Sequence, residues 1–326
     1  MIAPEQVTLA YQLLLGRNPE NEAVVQSLCE TVHSVADMRK HFIESAEFRK
    51  RMGETLDKLQ NVQLGHPFNL PRIPVDVQIT DENLKNFFNR IKQEWTHLGE
   101  TEPYWSTITQ PQYKKDKFSS NQDQFYKSGK YAVDTFMATL RRNNINPHLL
   151  QSVLELGCSV GRISLHLAEH FKNIVASDIS LPLINIAKEY FSSKNITNVS
   201  FFHFDDPRFL YQLPNFDAIF SIITLQHNPP PLISWTLQNL IACLNPGGIA
   251  YVQIPTYRNG YIFEVERYLK SPKPETLEMH FLPQYEIFKI IELGNCLCLE
   301  VREDGMVGSD SQMLSNTFLI QKKLSD

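Results

Sequence analysis

Residues 153–161, Val-Leu-Glu-Leu-Gly-Cys-Ser-Val-Gly, constrain the fold more than any other stretch of this chain. A short apolar run carrying one acidic residue, Glu155, empties into a glycine-bearing turn and then a helix-forming segment. Nucleotide-type cofactor sites begin this way in open α/β sheets. Val153, Leu154 and Leu156 read as a strand buried on both faces, because the run is continuously apolar rather than alternating. Gly157 and Gly161 let the backbone turn tightly and come close to a ligand, which a Cβ would obstruct. A second strand, Asn173 to Ala176, ends in Ser177-Asp178, so another carboxylate falls 23 positions after Glu155. In doubly wound folds a carboxylate about 20 residues on, at the tip of the second strand, accepts hydrogen bonds from ribose hydroxyls.

The glycine placement and the sign of Glu155 narrow the ligand. Dinucleotide sites use Gly-x-Gly-x-x-Gly to seat a pyrophosphate on a helix N-terminus, and that pattern is absent here. A carboxylate in the first strand repels a pyrophosphate and attracts a cation. The stretch Glu155-Leu-Gly157-Cys158-Ser159-Val-Gly161 resembles the acidic-x-Gly-x-Gly-x-Gly first motif of the class I S-adenosylmethionine-dependent methyltransferases, with the small Ser159 replacing the middle glycine. Later segments resemble the same family in order. Val199 to Phe204 precedes Asp205-Asp206, Phe216-Asp217 to Gln226-His227 resembles the fourth-strand motif, and Leu244-Asn245-Pro246-Gly247-Gly248 leads into the strand Ile249 to Ile254.

The resemblance implies S-adenosyl-L-methionine as cofactor, which carries a sulfonium and an ammonium. It implies cofactor contacts from Glu155, Gly157, Cys158, Ser159, Gly161, Asp178, Ile179 and Ser221, and an adenine-reading role at Asp205 and Asp206 or an adjacent amide. It further implies a seven-stranded Rossmann-like methyltransferase sheet. Strands Cys296–Arg302 and Asn316–Gln321 would complete it in antiparallel fashion, with helices at Ile163–Phe171, Pro182–Phe191, Leu232–Leu244 and Gln284–Leu293. The ligand crevice is expected at the carboxyl ends of the parallel strands.

Length predicts more than one unit, since 326 residues exceed a typical domain. We divide the chain into a helical module at 1–52, a linker at 53–75, a helical lid or substrate segment at 76–147 and the cofactor domain at 148–326. In the first, Val7, Ala10, Tyr11, Leu14 and Leu15 recur at helical spacing, Gly16 is placed as a C-cap, and Asn18-Pro19 opens a second helix. A third helix is expected from Val35 to Arg51, with Asp37 near its cap. The pairing of Tyr11 to Pro19 with Phe42 to Arg49 resembles the small helical module related to phycobilisome linkers. That module often accompanies enzymes of surface-glycan assembly and implies an interaction with a protein partner; a plain helical extension packed on the catalytic domain is the alternative. Pro and Gly interrupt residues 53–75. Leu84, Phe87, Phe88, Ile91 and Trp95 form an apolar helical stripe, read as core. The aromatic, aperiodic run from Trp95 to Ser106 makes Tyr104 and Trp105 candidate acceptor contacts. Tyr126, just upstream of the first strand, is the candidate for a hydroxyl at the methionine end.

Composition excludes several classes. A net charge of −5 without a basic block argues against nucleic acid. Five cysteines without a Cys-x-x-Cys pair fit a reducing compartment, and Cys296 and Cys298 read as packing residues on a strand. The N-terminus lacks signal-peptide character and no apolar run reaches bilayer length, so a cytoplasmic location is expected. No metal-ligand spacing appears, so no metal is expected.

Methyl transfer is an in-line displacement at a sulfonium, where alignment supplies much of the acceleration. A hydroxyl acceptor benefits from a general base. His227, beyond the fourth strand, is the first candidate because imidazole titrates near neutrality, and His280 in the insertion Pro255–Leu282 is the second. Tyr257 lies at a strand end facing the same crevice. The leading function is methylation of a sugar, glycan or related small-molecule acceptor at oxygen. An N- or C-methyltransferase and a cofactor-binding adaptor without turnover are the alternatives. A nicotinamide oxidoreductase would need the glycine pattern that residues 157–161 lack.

Overall fold

The computed structural model describes residues 2–50, 71–272, 277–308 and 312–324. The chain divides into two compact units, Met1–Pro67 and Phe68–Asp326. The expected linker falls largely on residues 53–70, outside the described residues.

In the first unit, α1 (Pro4–Leu15), α2 (Glu22–Thr31) and α3 (Val35–Glu44) enclose Val7, Tyr11, Leu15, Leu28 and Phe42. Gly16 ends α1 at φ 60°, as its placement predicts. The second helix does not open at Asn18-Pro19. It starts after Asn21, whose side chain accepts from Val24 N and satisfies one of the free first-turn amides. Likewise Ser34, not Asp37, caps α3; its hydroxyl accepts from Asp37 N at 3.1 Å and donates to the Asp37 carboxylate at 2.7 Å. The helix breaks at Ser45, whose hydroxyl donates to Phe42 O and accepts from Phe48 N. Arg17 forks onto Glu47 at 2.8 and 2.6 Å and lies over the Tyr11 ring.

The second unit is built on a seven-stranded sheet. Its strands are β1 (Ser152–Leu156), β2 (Asn173–Asp178), β3 (Val199–His203), β4 (Phe216–Ser221), β5 (Leu244–Arg258), β6 (Cys296–Asp304) and β7 (Met313–Lys322). Their order is β3-β2-β1-β4-β5-β7-β6. The first five run parallel, and β7 pairs antiparallel with both β5 and β6. This is the expected α/β architecture, a doubly wound sheet closed by an antiparallel pair. The strand order reverses between β1 and β4, which opens a crevice beyond their carboxyl ends.

Successive side chains of β1 enter opposite layers. Leu154 and Leu156 pack with Ile219, Val252 and the helices Pro230–Ala242 and Gln284–Leu293, whereas Val153 packs with Ala218, Phe220 and the helix Lys130–Arg142. That last helix was read as part of a lid. It instead buries Val133, Phe136 and Leu140 against the sheet and is a layer of the domain. The segment expected as a helix from Ile163 to Phe171 is regular only at Ser164–Leu167. His170 N bonds to Leu167 O, three residues back, so the helix tightens and ends. The Asn245–Gly248 turn is absorbed into β5 with a shift of register opposite Phe216 and Ala218. Cys296 and Cys298 are free thiols on β6. Among the described residues no helix is long and apolar enough to cross a membrane.

Gly161 sits at φ 82°, and a Cβ there would stand 2.6 Å from the ring of Phe191, a core residue of the helix Leu181–Ser193. Gly161→Ala is therefore expected to lower stability by roughly 1–3 kcal/mol in denaturant unfolding. An unchanged midpoint would contradict this packing.

Candidate cofactor site and acceptor pocket

The turn after β1 is fixed by a backbone carbonyl at the tip of β2. Gly157 N and Cys158 N both donate to Ser177 O, at 2.8 and 3.0 Å. Gly157 adopts φ 82°, and a Cβ on it would collide with the side chain of Thr224 beyond β4. Ser159, the replacement for the middle glycine, also has a left-handed backbone, φ 51°. Two bonds hold it there: its N–H donates to Asp178 Oδ2 at 2.8 Å, and its hydroxyl meets Thr107 Oγ1 at 2.6 Å. Asp178 Oδ1 accepts from Ser180 N at 2.9 Å.

A cavity opens over these strand tips, and Glu155, Gly157, Cys158, Ser159, Asp178, Ile179 and His227 line it. Other expected cofactor residues do not. Gly161 faces Phe191. Ser221 donates to Leu156 O at 3.1 Å, tying β4 to the end of β1. Tyr126 is buried, donates to Val160 O at 3.4 Å and stacks on Tyr190 at 3.7 Å, so its hydroxyl braces the turn from behind. Asp205 is exposed, and Asp206 caps the following turn while pairing with Arg208. The wall there is apolar instead, with Phe204 and Phe209 stacked 3.8 Å apart.

The acceptor candidates also fall outside the cavity. Tyr104 stacks on Phe118 and meets Phe125 edge-on. Trp105 does not line the cavity, and neither does Tyr257, whose hydroxyl is buried without a partner. The Tyr104 ring is taken up by this packing. The wall comes instead from Phe88, Ile91 and Trp95 on the helix Asp81–Thr101, together with Trp235, Ser106 and Thr107. The sequence reading of Phe88, Ile91 and Trp95 as core is corrected here, because periodicity alone does not distinguish a face on a core from a face on a cleft. Ile223 also lines the cavity and adopts φ 55°, an outlier for a β-branched residue. Its N–H donates to the buried Gln253 side chain at 2.8 Å, and Gln253 is itself held by Ser315. Such strain concentrates at functional sites.

The cavity floor carries buried acid. Glu155 is 2% exposed and accepts from Ser164 Oγ at 2.5 Å. Burial raises its carboxyl to about 7 despite opposing contributions from Ser164 and Arg162. Burial likewise raises Asp178 to about 6 against its backbone N–H donors.

His227 reaches the cavity in a different state from the one expected. Burial pushes it down to about 4, with His280 adding to the shift and a bond to Glu278 opposing it. Its Nδ1 lies 2.9 Å from Glu278 O, a carbonyl that can only accept, so Nδ1 carries the proton. Nε2 is the unprotonated nitrogen, 3.3 Å from the Gln226 amide nitrogen. Glu278 is positioned by Arg90 at 3.1 Å and Tyr268 at 2.6 Å. His280 lies outside the cavity, bonded to the Tyr261 hydroxyl at 2.8 Å, and supports the insertion rather than the crevice. Among the described residues no cluster suited to a metal ion occurs.

Because the folded-state value of Glu155 lies above its ordinary 4.5, the associated stability is fully present below that pH and is lost as pH rises through about 7. Glu155→Gln is therefore expected to stabilise the free protein at pH 8 by on the order of 3 kcal/mol, with the gain vanishing near pH 4. Denaturant unfolding at the two pH values checks this. A loss of stability at pH 8 would contradict it.

Residues 153–248 match the family model described as a methyltransferase domain. No curated protein sequence matches the chain. A solved structure of magnesium protoporphyrin IX methyltransferase from Synechocystis with bound SAH is similar to this fold, at 17% identity and a TM-score of 0.52, covering 73% of this chain and 100% of that one. The same enzyme with bound SAM gives 17% identity and a TM-score of 0.50, with 76% and 100% covered. Residues 153–248 are thus similar to methyltransferase domains, and the sheet has the Rossmann-like fold of the methyltransferase structures it resembles.

Proposed function

We propose that this chain transfers a methyl group from S-adenosylmethionine to a hydroxyl of a small polyhydroxylated acceptor of the sugar or glycan type. The single observation that carries the reading is the pair of buried carboxylates, Glu155 and Asp178, at adjacent parallel strand tips on one cavity. Burying two acids side by side is costly unless a cation or hydrogen-bond donors compensate them. A sulfonium donor with an ammonium and a ribose diol supplies both.

The residues present fit that group. Each Asp178 oxygen accepts one backbone N–H and retains a lone pair for a ribose hydroxyl. Ile179, Phe204 and Phe209 offer an apolar wall for a base. When bound, the cofactor supplies an electrophilic methyl carbon. The chain orients an acceptor against it and takes up the proton that the acceptor loses. His227 is suited to that proton because its Nε2 is already unprotonated at neutral pH. Trp95, edge-on to His227 at 5.1 Å, and Trp235 give apolar surface for sugar ring faces.

One observation favours a second reading. An imidazole held near pH 4 is a weak base, which suits a nitrogen acceptor that attacks without prior proton removal. The helical unit at the N-terminus is assigned an interaction with a protein partner, on the sequence resemblance of residues 11–19 and 42–49.

Incubation with methyl-tritiated S-adenosylmethionine and panels of glycosides, phenols and amines tests the reaction. Label should enter a hydroxyl, with a kcat at saturating S-adenosylmethionine flat from pH 6 to 8 because His227 is unprotonated throughout that range. His227→Ala should lower kcat by roughly a hundredfold or more, with cofactor affinity unchanged. Label entering only amines would favour the second reading. Binding of NADH without binding of S-adenosylmethionine would overturn both.

A further inference from the structure

A relay of buried side-chain amides ends on His227. It starts at the backbone N–H of the left-handed Ile223, which donates to Gln253 at 2.8 Å. Gln253 stands on β5 and is wholly buried, and this N–H fixes its amide with the oxygen toward Ile223. The amide nitrogen of Gln253 then donates to Ser315 Oγ at 2.7 Å and to Gln226 at 3.2 Å. The Gln226 atom that receives this bond must be its oxygen, which leaves the Gln226 amide nitrogen facing His227 Nε2 at 3.3 Å. On the other side of the ring, Nδ1 donates to Glu278 O at 2.9 Å. Both ends of the relay are backbone groups, an N–H and a C=O, and neither can be inverted. The two amides and the imidazole between them can each be turned round, and the ends select one arrangement of all three. Every bond then points the same way, from Ile223 to Glu278. Turning one member would set donor against donor or lone pair against lone pair at side chains that are 0% and 3% exposed for Gln253 and Gln226. Unpaired buried polar groups make that costly.

We propose that Gln253 and Gln226 are positioning residues for His227, holding its ring as the Nδ1–H tautomer with an Nε2 lone pair that takes the proton of the acceptor. This deepens the general-base reading above and rests on it. Of the four bonds in the relay the one at Nε2 is the longest, so it is the one that an acceptor hydroxyl displaces. The acceptor O–H bond breaks and an N–H bond forms at Nε2 as the oxygen bonds to the methyl carbon and the methyl–sulfur bond breaks. The new N–H opposes that of Gln226, so the relay also favours loss of the proton to solvent before the next turnover. The charged and titratable groups around the ring are His280 and Glu278 of the insertion, Arg90 of the helix Asp81–Thr101, and Glu155 and Asp178 on the cavity floor. The Glu278 carboxylate is itself taken up by Arg90 and the Tyr268 hydroxyl.

Long-range 1H–15N NMR of the 15N-labelled protein, without cofactor or acceptor, reads the ring directly, and His227→Ala assigns its signals among the ten histidines. The wild-type ring should be the Nδ1–H tautomer at pH 7; a protonated Nε2 there would overturn the proposal. In Gln253→Leu the Gln226 amide is free to turn its oxygen to the ring and accept from Nε2. The ring should then titrate about one pH unit or more above the wild type, a tenfold gain in proton affinity. Gln226→Leu removes the opposing N–H and should raise the midpoint likewise, and it serves if Gln253→Leu does not fold. Ser315→Ala takes a partner from Gln253 without freeing its orientation and should leave the midpoint unchanged. A wild-type midpoint in the glutamine variants, or an equal rise in Ser315→Ala, would overturn the relay. Because no acceptor is present, these results judge the relay apart from the reaction. A relay that stands while His227→Ala turns over at the wild-type rate would remove the general-base reading alone.

Discussion

The Asp178 carboxylate is the interaction on which the site depends. One of its oxygens accepts the amide of Ser159 in the turn after β1, and the other accepts the amide of Ser180 opening the next helix. Two loops at the β1 and β2 tips are thereby fixed to one side chain. The turn it holds contains three left-handed residues within five positions, Gly157, Ser159 and Gly161. Such a backbone persists only where surrounding bonds over-determine it, and the Ser177 carbonyl and Thr107 hydroxyl supply the rest. The cost is a carboxylate buried next to Glu155. The cavity is thus acidic by construction rather than by surface composition.

Much of this was legible in the sequence because parallel strands buried on both faces leave continuous apolar runs. Val153 to Leu156 and Asn173 to Ala176 stand out that way, Phe216 to Ser221 through the motif it resembles, and the alternation of strands and helices implies a parallel sheet without fixing its strand order. The acidic positions at the strand ends were legible for the same reason, since a carboxylate stands out in an apolar run. Glu155, Gly157, Cys158, Ser159, Asp178, Ile179 and His227 do converge on one cavity.

The remainder depended on tertiary context. Phe88, Ile91 and Trp95 obey helical spacing whether the helix faces core or cleft. Tyr126, Tyr104 and Trp105 look like ligand contacts because aromatics serve both purposes, and here stacking on Tyr190 and Phe118 uses two of those rings. Asp206 lies in the right segment for an adenine contact but is turned to its own capping amide and to Arg208. The insertion after β5 gave only a histidine, whereas its contribution to the cavity is a backbone carbonyl, that of Glu278, which sets the protonation of His227.

The central claim is that the buried carboxylates at the strand tips exist to receive a cation. Calorimetric titration with S-adenosylmethionine at pH 7, repeated in buffers of different ionisation enthalpy, measures it directly. Glu155 and Asp178, raised to about 7 and about 6 in the free protein, should ionise as the cation arrives, so binding should release a substantial fraction of a proton. Binding with no proton release, or with proton uptake, would contradict the account.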